Sequence, residues 1–271
     1  MVVFPTMLQA TPKINESMIS WRCRYDSTYG QFLASITDVR PSTSCIVVGP
    51  KSGEHEASFV RRCMPDVHHL IAIESDLGYC RQLHQVLGAV LPDVDCHIVE
   101  DRWSNWSGPV ERADAVLMLE MLNVLSVDER LALFRLCFER WLKPNGWLIV
   151  EVDDAGSIYA KVRQKINPQN TDVLTWTCLE AELEQLGYWV ERVVRHKFTI
   201  NLAGLDDDFI QTFANYHNAS TVDVAMIRRF LQEIGLYAMC VTNVLIVRPT
   251  MPSMNHEIRA VPPFGDGLYN D

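Results

Sequence analysis

Short apolar runs alternate with segments of helical spacing along this chain of 271 residues. Five runs are short enough to be strands: Cys45–Val48, His69–Ile73, Cys96–Val99, Ala113–Leu119 and Trp147–Val152. Segments between them, such as Leu77–Val90, have the length of helices and repeat their apolar residues at helical spacing. Because parallel strands need long crossover connections, the alternation predicts an α/β fold whose parallel sheet has helices on both faces.

The second half of the chain adds two strands and a helical insertion. Apolar patterns at Trp189–Ile200 and Ala238–Val247 predict strands, and helical patterns at Asp206–Tyr216 and Val222–Ile234 lie between them. Residues 14–39, ahead of the first strand, also have helical spacing. The sequence therefore predicts a seven-stranded, mostly parallel sheet with an N-terminal helical cover and a helical insertion before the last strand.

These patterns divide the chain into five parts. We expect a helical cover over residues 1–40, a core over residues 41–202, a helical insertion over residues 203–235 and the last core strand over residues 236–250. Residues 251–271 are rich in proline and have no regular apolar period. We expect them to form a disordered tail.

The balance of charges argues against a nucleic-acid partner. The formal net charge is −10, and the chain has no run rich in Lys and Arg. Nucleic-acid binding depends on cations that neutralise phosphates, so we expect none here. An acidic surface attracts small cations instead, although net charge alone attracts them weakly. The composition leaves the oligomeric state open.

The eight cysteines are scattered, and no two form a C-x-x-C pair. Several lie in apolar runs, as Cys45 does, which is typical of free thiols in a reducing compartment. The first residues lack the basic and apolar regions of a signal peptide. The longest apolar stretch, residues 115–127, is interrupted and too short to span a bilayer. We therefore expect a cytoplasmic protein that has no membrane partner.

Two groups of potential metal ligands have simpler explanations. His68 and His69 precede a predicted strand, and residues 206–208, all aspartates, precede a predicted helix, where acidic side chains are favoured. Their spacing matches no metal-ligand motif. We therefore expect no metal site.

A glycine-bearing turn follows the first predicted strand and leads into a helix. From Val48 to Glu54 it reads VGPKSGE. A glycine there lets a ligand approach the backbone, and the helix N-terminus supplies free N–H groups. Pro50 and Ser52 break the G-x-G-x-x-G pattern of dinucleotide-binding folds, and the spacing of a P-loop is absent. An ordinary strand-to-helix turn has the same features, so the turn alone does not define a ligand.

Glu74 adds a second feature at the same edge of the predicted sheet. It closes the second predicted strand, 25 residues after Gly49. In nucleotide-binding folds an acidic residue near this position accepts hydrogen bonds from ribose hydroxyls. Together, Gly49 and Glu74 therefore indicate a site for a nucleoside.

Polar residues also follow the third and fourth predicted strands. In the segment 100–104, a polar side chain such as Asp101 can meet the amino group of an adenine, and Trp103 can cover the ring. Glu120 interrupts the apolar run of the fourth strand. It either lies beside a ligand, where a carboxylate suits an amine, or begins a helix, where its charge is favoured. Ligands of open α/β sheets bind beyond these carboxyl ends.

Gly49, Glu74, the seven-strand pattern and the run LKPNGWLIV at residues 142–150 together resemble class I S-adenosylmethionine-dependent methyltransferases, whose fold is Rossmann-like. More narrowly, residues 20–247 are similar to the histamine N-methyltransferase family. The closer likeness rests on four motifs: Y-x-x-F from Tyr29 to Phe32, G-x-x-x-G-E from Gly49 to Glu54, LEML at residues 119–122 and FIQTFANYHN at residues 209–218.

The resemblance implies that S-adenosylmethionine is the cofactor. Gly49, Gly53 and Glu74 would bind it, and Ser104 and Leu119 would line its adenine end. The family's run of three glycines is here Gly-Pro-Lys, starting at Gly49, which predicts a stiffer turn.

The resemblance also implies a set of residues on the substrate side. Glu120 stands where the family has a glutamine that touches the substrate, and Tyr29 belongs to the cover over the pocket. The family's tryptophans near residues 156–159 are absent, so Tyr159 is the nearest aromatic residue. Val241 stands at about the position of a substrate-binding asparagine. We expect Glu120 to orient an ammonium group and Tyr29 to cover it, as the two catalytic residues.

We therefore predict a methyltransferase that N-methylates a small amine. One alternative transfers the methyl group to a hydroxyl or carboxylate of a natural product, with His196, Lys197 or His217 as a candidate base. Another is a non-catalytic methyltransferase-like binding protein, with Pro50 and Lys51 in the turn as its support. A nicotinamide oxidoreductase is a third, which the broken glycine pattern disfavours.

Overall fold

The computed structural model describes residues 29–37, 39, 41–119, 121–166, 174–202, 210 and 221–249. Its helices are α1 Tyr29–Ala34, α2 Glu54–Cys63, α3 Leu77–Val90, α4 Val127–Leu136, α5 Ile158–Ile166, α6 Trp176–Gln185 and α7 Thr221–Ile234. Its strands are β1 Ser44–Val48, β2 His69–Ile73, β3 Asp95–Val99, β4 Ala113–Met118, β5 Leu142–Asp153, β6 Trp189–Asn201 and β7 Tyr237–Arg248. A 3₁₀-helix, Leu122–Val124, precedes α4, and a π-helical turn, Cys137–Trp141, follows it.

The strands form one sheet in the order β3-β2-β1-β4-β5-β7-β6. Parallel pairs join β1 to β2, β2 to β3, β1 to β4 and β4 to β5. β7 runs antiparallel to both of its neighbours, β5 and β6. The predicted seven-stranded, mostly parallel sheet is therefore confirmed. Because the chain leaves β1 toward β2 on one side and returns to β4 on the other, the carboxyl ends of β1 and β4 border a crevice.

Helices cover both faces of the sheet, as predicted. One face packs against α1, α2 and α3 in a cluster that includes Phe59 and Leu83. The opposite face packs against α4, the π-helical turn and α6 in a cluster that includes Phe134 and Trp141. A third cluster joins α5 and α7 to the end of the β6–β7 pair, which extends beyond β5. The packing leaves the carboxyl edge of β1 to β4 for the loops that follow these strands.

Some elements differ from the sequence patterns. β5 begins at Leu142, earlier than predicted, because Leu142 already pairs with Ala113 of β4. The pairing is then interrupted over the turn-like residues 143–146 and resumes where Trp147 pairs with Ala115. The nine residues of α5 are too few for a helical period to stand out in the sequence. Apart from Ile210, the predicted helix Asp206–Tyr216 lies outside the described residues, and so do the first part of the cover and the tail.

Asp114 of β4 joins the amino ends of three strands. Its Oδ2 accepts hydrogen bonds from the backbone N–H and hydroxyl groups of both Thr43 and Ser44, at 2.8–3.0 Å. Its Oδ1 lies 2.6 Å from Lys143 Nζ. Partial burial alone would raise the pKa of Asp114, but the hydrogen bonds from Lys143, Thr43 and Ser44 outweigh it and hold the pKa far below its ordinary value.

Replacing Asp114 by asparagine should destabilise the fold near neutral pH and remove one source of acid sensitivity. An asparagine keeps one acceptor but loses the charge, so we expect a loss of about 1.5 kcal/mol in the free energy of unfolding. A pKa lowered by folding stabilises the fold above the unfolded pKa of about 3.9, and this contribution disappears as the pH falls through the folded pKa. Urea unfolding should therefore show the gap between wild type and Asp114→Asn closing as the pH falls below that value.

The matched control for this prediction is Asp66→Asn, at an exposed position in a turn. It removes the same charge without breaking these hydrogen bonds, and it should leave the unfolding free energy nearly unchanged. A gap between wild type and Asp114→Asn that stays constant down to about pH 2 would show that the Asp114 carboxylate makes no charge-dependent contribution.

Candidate functional site

A cavity of about 510 Å³ lies at the carboxyl ends of β1 to β4. That volume is within the range of about 300–1,000 Å³ typical of small-molecule sites. The lining residues come from the last positions of β1 and β2, from the loops after the four strands and from the first turns of the helices that follow them. They are Val48, Gly49, Lys51, Ile73, Glu74, Ser75, Asp76, Tyr79, Asp101, Arg102, Trp103, Ser104, Met121, Val124, Leu125 and Glu129.

The turn after β1 holds three residues in the left-handed backbone region. The φ angles are 62° at Gly49, 52° at Lys51 and 79° at Gly53. At Gly49 a Cβ atom would lie 3.1 Å from Met121 Cβ, so a side chain there would crowd the loop after β4. Lys51 adopts this conformation although it is not a glycine, and such residues need support from their surroundings. The turn therefore presents backbone, not side chain, at Gly49.

Glu74 supplies part of that support. Its Oε2 accepts a hydrogen bond from the Lys51 backbone N–H at 3.0 Å, and its Oε1 accepts one from the Asp76 backbone N–H at 2.9 Å. The residue is 7% exposed, and it still lines the cavity. Since an ionised carboxylate can accept about four hydrogen bonds, Glu74 can also bind hydroxyl groups of a ligand. One side chain thus joins β2 to the glycine turn and faces the cavity.

The loop after β3 brings a tryptophan and two polar side chains to the same cavity. Asp101, Trp103 and Ser104 all line it. Asp101 Oδ1 accepts hydrogen bonds from the Arg102 backbone N–H at 2.6 Å and from Asn105 Nδ2 at 2.9 Å, which shape the loop. Trp103 is partly buried against the core cluster of the second face, so its ring is held in place.

Five of the predicted cofactor residues therefore line one cavity: Gly49, Glu74, Asp101, Trp103 and Ser104. The other two are not among its lining residues. Gly53 is the N-cap of α2 and packs against Leu83, and Leu119 is 2% exposed within the core.

The sequence predicts no role for several other residues that line the cavity. Tyr79 lies in the first turn of α3, and Met121 and Val124 follow β4. The available signal was position alone, since each of these residues comes soon after the carboxyl end of a strand. Lys51 was visible in the sequence as a departure from the family's glycines, but its left-handed backbone follows from the turn and not from its residue type.

The predicted substrate residue Tyr29 lies in a buried polar and aromatic group. Its hydroxyl is hydrogen-bonded to His55 Nε2, and its ring centroid lies 5.8 Å from that of His196. His196 also stacks on Phe32, with the two ring centroids 4.6 Å apart. The helix α1 is therefore held on the sheet by side chains from α2 and β6.

Two other predicted substrate residues lie at the end of β5. Val241 of β7 is 2% exposed; its backbone N–H donates to Ser157 Oγ at 3.2 Å, and its carbonyl accepts from Asp154 N at 2.9 Å. Tyr159 of α5, just after Ser157, is fully buried in the third cluster. His196 is the cross-strand partner of Thr242, next to Val241, so Tyr29 and Val241 lie toward the same end of the sheet. Glu120 lies outside the described residues.

The charge lining the cavity is negative overall. Four acidic and two basic side chains line it: Glu74, Asp76, Asp101, Glu129, Lys51 and Arg102. Within the described ranges, no group of three or more His, Cys, Asp or Glu side chains is placed to hold a metal ion. No helix in that part of the chain has the length and apolar character needed to cross a bilayer. The cavity therefore favours a ligand that is neutral or carries positive charge.

No protein-family model matches this chain, and no curated protein matches it in sequence. Solved structures do share its fold. A candidate methyltransferase from Bacillus halodurans is 12% identical, with a TM-score of 0.56 over 82% of this chain and 99% of that one. A cyclopropane synthase from Mycobacterium tuberculosis is 10% identical, with a TM-score of 0.54 over 88% of this chain and 87% of its own.

Two further structures extend the comparison. A mycolic acid cyclopropane synthase in complex with SAH and CTAB is 12% identical, with a TM-score of 0.52 over 82% of this chain and 83% of that one. The mitomycin 7-O-methyltransferase is 14% identical, with a TM-score of 0.52 over 86% of this chain but 56% of its own. At such low identity these likenesses establish the fold, and the chain has the Rossmann-like α/β fold of class I methyltransferases.

Proposed function

We propose that this protein is an S-adenosylmethionine-dependent methyltransferase that acts on a small molecule. The observation that carries the proposal is that Gly49 and Glu74 face one cavity from the ends of neighbouring strands. An open backbone corner and a carboxylate that can accept further hydrogen bonds suit the hydroxyls of a ribose. Trp103 offers an aromatic surface to an adenine ring from the loop after β3.

The charge of the cavity favours this cofactor over a dinucleotide. With four acidic and two basic side chains around it, the cavity would repel a pyrophosphate and attract the positive sulfonium. One structure with the same fold, the mycolic acid cyclopropane synthase, holds SAH. These observations support S-adenosylmethionine and argue against the nicotinamide oxidoreductase.

The chain would contribute position and electrostatics to the reaction. When bound, the sulfonium supplies the methyl group that is transferred. Gly49, Glu74 and Trp103 would hold the adenosyl part, so that the acceptor approaches from the side of β4 and β5. Holding two reactants in line is worth up to about 7–11 kcal/mol in favourable intramolecular cases. An ammonium has no lone pair, so a bound amine must first give its proton to water, and its neutral nitrogen then attacks the methyl group.

We further propose that the acceptor is an amine and that Glu120 orients its ammonium form. Glu120 comes two residues after the end of β4, and the next residue, Met121, lines the cavity. The resemblance to the histamine N-methyltransferase family implies a substrate-contacting residue at this position. A carboxylate there attracts a cation and repels a phenolate or a carboxylate acceptor.

Replacing Glu120 by glutamine should raise KM for the amine about tenfold and change kcat little, because one charge-assisted hydrogen bond is worth about 1.4 kcal/mol or more. Initial rates over a range of amine concentrations give both constants. Glu184→Gln, which removes an exposed carboxylate from α6, is the control and should behave as wild type. An unchanged KM in Glu120→Gln would show that Glu120 does not bind the amine substrate.

The overall proposal is tested by titration calorimetry with S-adenosylmethionine and by native mass spectrometry of the purified protein. A panel of amines, phenols and carboxylic acids, with formation of S-adenosylhomocysteine as the readout, then identifies the acceptor class. Turnover of amines supports the proposal, whereas turnover of phenols alone favours an O-methyltransferase. Absence of cofactor binding at high micromolar concentration would favour a non-catalytic binding protein.

A further inference from the structure

A chain of three buried polar side chains lies beside the glycine turn without lining the cavity. The Tyr29 hydroxyl of α1 is hydrogen-bonded to His55 Nε2 of α2, and the same nitrogen lies 3.2 Å from Glu151 Oε2 of β5. The three residues are 1%, 3% and 4% exposed. We call this group the Tyr29–His55–Glu151 bridge. It joins the N-terminal cover, the helix after the glycine turn and the middle of the sheet.

Stability alone does not explain the bridge. Taking an imidazole, a phenol and a carboxylate out of water is unfavourable, and hydrogen bonds among them only offset that cost. Apolar side chains of similar volume often replace such a buried pair with no loss of stability. The polar groups instead fix the orientation of the His55 ring, because a hydrogen bond and an ionic contact require a defined side-chain geometry.

Two contacts of the bridge hold the His55 ring from different sides. The Glu151 carboxylate lies 3.2 Å from Nε2, and a negative charge at that distance favours an imidazole that carries hydrogen on this nitrogen. The Tyr29 oxygen approaches the same nitrogen from another element. The imidazole is therefore fixed relative to both β5 and α1, and with it the first turn of α2.

The turn that precedes His55 needs this kind of support. Lys51 and Gly53, four and two residues before His55, are both left-handed. Glu74 holds Lys51 from β2, and Leu83 of α3 packs against Gly53. These contacts come from the side of β2 and α3. The bridge supplies the support from the opposite side, through β5 and α1.

On the basis of the proposed function, we propose that His55 is a positioning residue for the cofactor. Its hydrogen bond to Tyr29 and its close contact with the Glu151 carboxylate hold the first turn of α2, and hence the glycine turn, in the geometry that binds S-adenosylmethionine. The same contacts couple cofactor binding to the docking of α1 on the sheet. Cofactor affinity should then depend on three residues that do not line the cavity.

The decisive variant replaces all three side chains, Tyr29→Phe, His55→Leu and Glu151→Leu, so that the buried Tyr29 hydroxyl is not left without its partner. An apolar group of similar volume can fill the same space, so the melting temperature should stay close to that of wild type. Titration calorimetry should nevertheless show a dissociation constant for S-adenosylmethionine about fivefold larger, because the turn is no longer fixed. His55→Gln should restore affinity to within about twofold, since its amide N–H lies near the position of Nε2 and can donate to the same oxygens.

Asp114→Asn is the control for a general loss of stability. It destabilises the sheet at the amino ends of the strands, opposite to the cavity, and should leave the dissociation constant unchanged. If wild type binds the cofactor and the triple variant binds it equally well, the positioning role is wrong and the proposed function stands. A failure of His55→Gln to restore affinity, or an equal loss in Asp114→Asn, would also overturn the positioning role. If wild type binds no cofactor, the proposed function itself fails.

Discussion

Replacing Glu74 by glutamine should weaken binding of S-adenosylmethionine by between ten- and a hundredfold. Glutamine has nearly the same shape as glutamate but carries no charge. In the carboxylate each oxygen accepts a hydrogen bond from one backbone N–H, whereas the amide nitrogen of glutamine cannot accept one. One of the bonds to Lys51 and Asp76 would be lost, together with the charge-assisted bonds to the ribose. Hydrogen bonds to a charged group are worth about 1.5–3 kcal/mol, and each 1.4 kcal/mol is a factor of about ten in affinity.

The measurement is calorimetric titration of both proteins, with unfolding curves to show that the variant is folded. Asp76→Asn is the informative comparison, because Asp76 lines the same cavity and carries the same charge. Its side chain caps α3, accepting from Gly78 N at 2.7 Å and Tyr79 N at 3.0 Å, and asparagine also caps helices well. We expect a loss of less than about threefold for this variant, from the charge alone. Equal losses in both variants would mean that Glu74 affects cofactor binding only through its negative charge and not through specific hydrogen bonds.

The elements around the cavity could be predicted because local chemistry sets their boundaries. Helix α3 spans Leu77–Val90, as the apolar spacing predicts, and it begins after the capping residue Asp76 and ends shortly before Pro92. Glu74 could be assigned to the site because a strand end and a spacing from Gly49 are both visible in the sequence. Since the carboxyl ends of parallel strands meet at one edge, the fold converted those separate signals into a single cavity.

The rest of the site depends on contacts between distant segments, which leave no local pattern. Tyr29, His55 and Glu151 belong to three different elements, and each alone resembles an ordinary buried polar residue. The glycine motif identifies Gly53 as a special backbone position, but it does not identify Leu83 as the side chain that packs there. The resemblance implies that Gly53 binds the cofactor, and this stays a prediction; in the structure a Cβ at Gly53 would meet Leu83, and Gly53 is not among the residues that line the cavity. A glycine motif specifies backbone conformation and leaves open what fills the space of the missing side chain.

Replacing Gly53 by alanine should therefore destabilise the fold by about 3 kcal/mol, from two sources of similar size. A left-handed backbone, with φ of 79°, costs an alanine roughly 1–2 kcal/mol. The added Cβ would also overlap Leu83 Cδ1, and Leu83 is fully buried, so the core must shift. Overpacking of this kind costs about 1–3 kcal/mol. Urea unfolding near neutral pH measures the sum.

Gly187→Ala separates the two sources. Gly187 has nearly the same φ, 80°, but no atom lies within 4 Å of the position of its Cβ, so only the backbone term applies. We expect Gly187→Ala to lower the free energy of unfolding by about 1 kcal/mol. The additional loss in Gly53→Ala then measures the cost of the clash with Leu83. Leu83→Ala should remove that difference when combined with Gly53→Ala, so the double variant should be more stable than the sum of its single changes predicts. Equal losses at Gly53 and Gly187 would mean that the core has room for the methyl group, and that Leu83 does not hold the glycine turn in place.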